Sequence, residues 1–154
     1  MLTREELFDE CEKLREHRTL EDFFRHLERF TDRLGFHQYL YTAMPSFYKR
    51  EKDNLMPVLE TTYDPGWMDY YLDRRYFLYD AALNHVFRGR SDPYIWPTSR
   101  LKELSPMERK VFFEANEVGI RNGFTLPINN SLGVLGVASF SFSGEDREFD
   151  AFYA

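Results

Sequence analysis

Cysteine, long apolar runs and an excess of positive charge are what this sequence lacks. Its single cysteine, Cys11, cannot close an internal disulfide, so packing alone must hold the chain together. No stretch approaches the ~20 consecutive apolar residues of a membrane span. The N-terminus carries Arg4, Glu5 and Glu6 where a secretory signal needs an apolar core; the two absences together predict a cytoplasmic protein with no membrane contact. Lysine and arginine number 20 against 26 aspartates and glutamates, a net charge of -6, which argues against a phosphate-binding surface within these residues because such surfaces concentrate cations. Internal repeats of 20 to 50 residues are also missing, which excludes a solenoid.

Aromatic residues are abundant instead: 15 Phe, 10 Tyr and 2 Trp in 154 residues, far more than a disordered chain carries. A chain of this length buries about two-thirds of its unfolded surface around one core, so residues 1–154 are expected to form one domain. Leu7, Cys11 and Leu14 share one face of an N-terminal surface helix. Thr19, followed three residues later by Asp22, resembles a capping box, and Leu20, Phe23, Phe24, Leu27, Phe30 and Leu34 then recur at helical spacing up to Gly35. A strand is predicted over 36–44 and a second over 58–63, pairing as neighbours. Asp64 and Pro65 start a helix carrying Trp67, Met68, Tyr70 and Tyr71, and Asp80 caps a shorter one through Val86 to Gly89. A short strand over 94–96 precedes the capping box Ser105-Pro106-Met107-Glu108, whose helix runs to Gly119. Segments 123–128 and 132–142 form a hairpin across Asn129-Asn130-Ser131.

The last strand decides the architecture. Val134, Gly136, Ala138, Phe140 and Phe142 share one face, and Leu135, Val137, Ser139 and Ser141 the other. A sheet with apolar residues on both faces is covered on both, which predicts an α/β (α+β) chain folded as a three-layer α/β/α sandwich around a mostly antiparallel five-stranded sheet. Ser143 caps one more helix, begun near Glu145 and cut short at Ala154.

Tyr63, Trp67 and Tyr71, spaced four residues apart, form an aromatic wall at a strand-to-helix junction. Tyr and Trp combine an apolar body with one polar hydrogen, so such a wall can hold an apolar ligand and still donate to its carbonyl oxygens. Asp80 supplies the complementary acceptor, since a carboxylate facing an apolar space needs bonding partners. Each residue also has a plainer reading, the aromatics as core and Asp80 as an N-cap. Ser139 stands between Val137 and Ser141 on an otherwise apolar face, and its hydroxyl needs a partner, whether ligand or backbone.

The ordered set Tyr63-x3-Trp67-x3-Tyr71, Tyr76, Asp80, the strand over 93–96, the helix end over 112–119, Gly123 and Leu135-Gly136-Val137-Ala138-Ser139 resembles LuxR-type acyl-homoserine-lactone receptors. The resemblance extends over about residues 34–142 and implies the same sandwich. It implies that the Trp67 indole N–H meets a lactone carbonyl, that the Asp80 carboxylate accepts the ligand amide N–H, and that Tyr63 and Ser139 bond the acyl-side carbonyl. Trp96 would pack over the lactone ring, while Tyr71, Leu40, Leu59, Val111, Ala115, Leu135 and Val137 would line the acyl pocket. Each buried CH₂ adds about 0.8 kcal/mol, so pocket depth alone can read chain length. An N-acyl-homoserine lactone is then the expected ligand, with no other cofactor. A homodimer is the expected assembly, and DNA would be met only through a C-terminal helix-turn-helix domain absent from residues 1–154. Two positions depart from the family pattern: Ala81 stands where a proline usually follows the aspartate, and Ala82 offers no hydroxyl. A solo receptor for a non-lactone signal therefore remains an alternative.

Two further readings come from other classes. A lactone or amide hydrolase would need a nucleophile beside a base, or a metal with about three ligands. His17, His26, His37 and His85 show no metal-ligand spacing, and neither a Gly-x-Ser-x-Gly elbow nor a Cys-x-x-Cys occurs, so no catalytic or metal-ligating residue is assigned. A ligand-free dimerisation module, with the aromatics simply filling a core, is the remaining competitor.

Overall fold

The structure, a computed structural model, describes residues 2–44, 58–96, 101–129 and 135–142, and of residues 43, 44, 58, 59, 129 and 135 the backbone only. Helices α1 (Arg4–Arg15) and α2 (Leu20–Arg33) lead into strands β1 (Phe36–Met44) and β2 (Val58–Thr61). Then come α3 (Pro65–Asp73), a 3₁₀ turn at Tyr76–Leu78, α4 (Ala81–Phe87), β3 (Tyr94–Ile95), a second 3₁₀ turn at Leu101–Glu103, α5 (Pro106–Glu117), β4 (Asn122–Asn129) and β5 (Leu135–Phe142). The five strands form one sheet in the order β2-β1-β5-β4-β3, with every neighbouring pair antiparallel. Both predicted pairings are present, β1 with β2 and β4 with β5. Val134, residues 130–133 of the hairpin connection and the helix expected after Ser143 lie outside the described residues.

One face of the sheet is filled by aromatic side chains. Ala138 and Phe140 of β5, Phe36 and Tyr39 of β1, and Phe24 of α2 form a buried cluster, joined by Phe124, Leu126 and Phe142. Phe36 meets Phe124 edge-on at 5.1 Å and Phe142 at 5.6 Å, the geometry that aromatic quadrupoles favour. Phe36 and Tyr39 can share a face, despite their odd spacing, because the register slips between Phe36 and Gln38; His37 is the extra residue of a bulge. The α2–β1 turn needs Gly35: its φ is +90°, and a Cβ there would lie 2.6 Å from the Phe142 ring.

The opposite face carries Leu40, Thr42, Thr125, Val137 and Ser139, and helices α3, α4 and α5 cover it. Val137 is fully buried against Leu83 and Val86 of α4. Helix α1 rests on α2 rather than on a strand.

Several local expectations need correction. Thr19 caps α2 through the Asp22 N–H at 3.1 Å, but the reciprocal half of a capping box is absent, because the Asp22 carboxylate takes the Thr19 hydroxyl instead, at 2.7 Å. A full capping box does open α1, between Thr3 and Glu6. Strand β2 ends at Thr61, leaving Tyr63 in the approach to α3. Of the predicted α1 face, Leu7 and Cys11 are exposed and only Leu14 is half-buried, so that face is not the most buried part of the helix. That part is Glu10, 9% exposed, bonded to Lys13 and His26. A carboxylate bonded to Lys13 and the His26 ring, with Arg33 at 3.8 Å, is cheaper to bury than the apolar pattern alone suggests.

Candidate ligand-binding site

Between the sheet and helices α3, α4 and α5 lies a cavity of about 120 Å³. That is several times the ~10–15 Å³ needed by a single water, so it is not a packing defect. Leu40, Tyr63, Trp67, Tyr71, Asp80, Trp96, Val111, Ala115 and Ser139 all line it. Val137 lies beside it, in the cluster with Leu83 and Val86. The side chains of Leu59 and Leu135 lie outside the described residues.

The aromatic wall is built locally. Asp64 caps α3 by accepting the Trp67 backbone N–H at 3.1 Å, with Pro65 in the first turn, where its missing N–H costs nothing. Trp67 and Tyr71, one turn apart, approach at 6.0 Å between centroids, and Tyr76 completes the group at 6.5 and 6.1 Å. Tyr76 is 2% exposed, and its hydroxyl donates to Glu114 Oε2 at 2.6 Å, so it ties the wall to α5. Arg75 turns the chain into place with a left-handed φ of 54°.

Asp80 holds both of its possible roles. As N-cap of α4, its Oδ1 accepts the backbone N–H groups of Ala82 at 2.9 Å and Leu83 at 3.3 Å, while Oδ2 accepts the Tyr71 hydroxyl at 2.8 Å. Burial pushes its carboxyl above the usual range, and the Tyr71, Leu83 and Ala82 donors offset part of that rise. Asp80 is also among the residues that line the cavity. Ala81 leaves its position intact, as an alanine in the first turn is conformationally free to do.

Tyr63 is the unusual member. It is 8% exposed, and its hydroxyl has no hydrogen-bond partner among the described residues. Burial, with Asp80 nearby, pushes that hydroxyl far above the ordinary phenol range, so it is a neutral donor. A buried hydroxyl without a partner costs on the order of 1–3 kcal/mol.

On the sheet side the Trp96 indole N–H donates to Thr125 Oγ1 at 2.8 Å, and Thr125 bonds Ser139 across the β4–β5 pair at 2.9 Å. That contact consumes one of the two hydroxyl protons and leaves the other for a further acceptor. Gly123 makes room for Trp96: a Cβ there would lie 2.1 Å from the Phe140 carbonyl oxygen and 2.9 Å from the indole. Thr125 is a site residue that the sequence reading missed, because only the strand register brings it opposite Ser139. The buried hydroxyl it supplies also shows that Ser139 finds its partner in a side chain, rather than in backbone alone.

The family model for the autoinducer binding domain matches residues 19–154. The chain belongs to the LuxR-type autoinducer-binding domain family. The transcriptional activator protein TraR of Agrobacterium vitis is 30% identical over 98 residues, a match covering 59% of this chain and 41% of that protein. The chain thus spans about two-fifths of the curated relatives it matches. Among solved structures, the N-acylhomoserine lactone dependent LuxR family transcription factor CepR2 of Burkholderia cenocepacia shares the fold. Its TM-score is 0.71 at 19% identity, over 96% of this chain and 84% of that one. SdiA, known from Escherichia coli, has been solved in complex with octanoyl-rac-glycerol and overlays with a TM-score of 0.72 at 19% identity, over 94% of this chain and 57% of that one.

For an autoinducer-binding domain, the division of the two sheet faces acquires a purpose. One face is a filled core that fixes the strands, and the other holds a space whose polar groups sit on rigid elements. No helix among the described residues is long and apolar enough to cross a membrane.

Proposed function

We propose that the cavity binds an N-acyl-homoserine lactone or a closely similar amphipathic signal, with its head group among Trp67, Asp80, Tyr63 and Ser139. Its acyl chain lies against Leu40, Tyr71, Val111 and Ala115, with Leu59, Leu135 and Val137 at the periphery, and Trp96 covers the ring. The observation that carries this reading is the Tyr63 hydroxyl, buried without a partner beside a carboxylate that faces an apolar cavity. A ligand carbonyl would accept from Tyr63 and a ligand N–H would donate to Asp80, satisfying groups that the protein leaves short. No reacting group is required of the protein, so the reading is of a receptor rather than an enzyme.

In this reading the signal completes the core, stabilises a homodimer and, through a C-terminal helix-turn-helix domain, controls DNA binding. Residues 1–154 act as the sensing domain. A second ligand class is favoured by one observation: Ala81 and Ala82 both line the cavity, which leaves room at the head-group end for a non-lactone group.

Thermal melts with N-octanoyl homoserine lactone and octanoyl-rac-glycerol test both, because a ligand that binds only the folded form must raise the melting temperature. Asp80→Ala and Trp67→Phe should each cost roughly 1–3 kcal/mol of binding, and Asp80→Ala should also cost about 0.5–2 kcal/mol of stability, because it removes the cap of α4. No thermal shift with either compound, or unchanged affinity in both variants, would remove the proposal.

A further inference from the structure

Asp80 is more fully engaged than an N-cap needs to be. An ionised carboxylate offers about four lone-pair sites. Three are taken here: two on Oδ1 by Ala82 and Leu83, and one on Oδ2 by the Tyr71 hydroxyl. The fourth belongs to Oδ2, on a residue that lines the cavity. The Tyr71 hydroxyl cannot wander, because its ring is packed 6.0 Å from Trp67 and edge-on at 6.1 Å from Tyr76, which is itself held by Glu114.

We propose that Tyr71 is a positioning residue whose hydroxyl fixes the Asp80 carboxylate so that it admits a single N–H or O–H donor from the ligand. This rests on the head-group assignment above, and it gives the Tyr71 hydroxyl a polar role in addition to the acyl-lining role of its ring. The physical reason is twofold. The hydroxyl occupies one of the two acceptor sites of Oδ2, leaving the other for the ligand. It also stabilises the ionised form in surroundings where burial, and the nearby Glu108 carboxylate, oppose it. An ionised Asp80 can only accept. A protonated Asp80 donates, and would then tolerate a ligand that offers an ester oxygen in place of an amide N–H.

The test compares N-octanoyl homoserine lactone with the octanoyl ester of α-hydroxy-γ-butyrolactone, which replaces the amide N–H with oxygen and has no other donor. The wild-type protein should prefer the amide by about tenfold or more, the scale of a hydrogen bond to a charged group. Tyr71→Phe should weaken the amide by about tenfold and the ester by less than twofold, so that the preference collapses. Retained ester binding shows that the variant is folded. In ligand-free protein, infrared titration of the carboxylate band lost in Asp80→Asn should find the Asp80 midpoint moved upward by Tyr71→Phe. Equal weakening of both probes, or an unchanged midpoint, would overturn the positioning role and make Tyr71 a wall residue only. If wild-type protein binds neither probe, the head-group reading itself fails and carries the selectivity with it, a result distinct from equal loss.

Discussion

The two faces of the central sheet use the same strands to opposite ends. On the α2 side, β1 and β5 present Phe36, Tyr39, Ala138 and Phe140, and the space is filled. On the other side the neighbouring positions are Leu40, Thr42, Val137 and Ser139, with Thr125 from β4; smaller or polar, they leave a cavity of about 120 Å³ under helices that bring tyrosine and tryptophan. A face that must hold register is best packed tightly, because close packing resists any change of volume. A face that must receive a molecule has to forgo some of that packing. The difference is written residue by residue along β5, where alternation sends Ala138 and Phe140 one way and Val137 and Ser139 the other.

Emptying the filled face should produce the largest effect. Phe140→Ala removes a ring that is 8% exposed and packed against Phe36 and Phe124, and should cost about 3–5 kcal/mol in chemical denaturation. A loss below about 1 kcal/mol would mean that this face is no tighter than the other. Adding volume should split the two faces next. Ala138→Leu on the filled side forces overpacking and should cost about 1–3 kcal/mol. Ala115→Leu, which projects into the cavity, should leave stability within about 0.5 kcal/mol while weakening ligand binding. Equal costs in the two variants would contradict the contrast.

How much of this contrast is legible in the sequence depends on how local its cause is. The alternation along 137–142 and the caps at Asp64, Asp80 and Ser105 depend on neighbours within four residues, and each can be read directly. Thr125 cannot be found that way, because its importance arises only when β4 pairs with β5 and places it opposite Ser139. The bulge at His37 is hidden for the same reason, since it is visible only against Phe142 and Ser141. Helical periodicity found only Leu14 on the docking side of α1 and passed over Glu10, which is buried by Lys13 beside it and by His26 and Arg33 on α2. His17 and His26, nine residues apart, lie 2.8 Å from each other, a pairing that no short-range spacing encodes. Side chains at 59 and 135, assigned to the pocket by resemblance, lie outside the described residues.

The two sides of the molecule should also answer pH in opposite senses. Asp80 has its carboxyl raised, chiefly by burial. Its contribution to ligand-free stability is therefore fully present below the ordinary value of 3.8 and lost as pH rises through the higher folded midpoint. Asparagine caps a helix as well as aspartate does, so Asp80→Asn should raise the neutral-pH melting temperature of the ligand-free protein, by less than Phe140→Ala lowers it. It should also flatten the pH dependence near that midpoint. A lower melting temperature at neutral pH would mean that the ionised carboxylate is already well satisfied without a ligand.

Glu10 is the counterpart on the filled side and should give the smallest effect. Its Oε1 accepts from Lys13 at 2.7 Å, and its Oε2 from His26 at 3.1 Å with Arg33 at 3.8 Å, which holds its carboxyl down to about 2. A depressed acid works in the other direction: its contribution is present above the ordinary value of 4.5 and is lost as pH falls through about 2. Because the cluster joins α1 to α2 and touches no cavity residue, Glu10→Gln should loosen α1 alone. Limited proteolysis at neutral pH should then cut near α1 faster, while ligand affinity and the Asp80-linked pH response stay as in wild type. In a helicity titration the advantage of wild type over the variant should be constant above pH 4.5 and close as pH falls toward about 2. A change in ligand affinity would show that the filled face is coupled to the cavity through the sheet, and that the two faces are one device rather than a scaffold and a site.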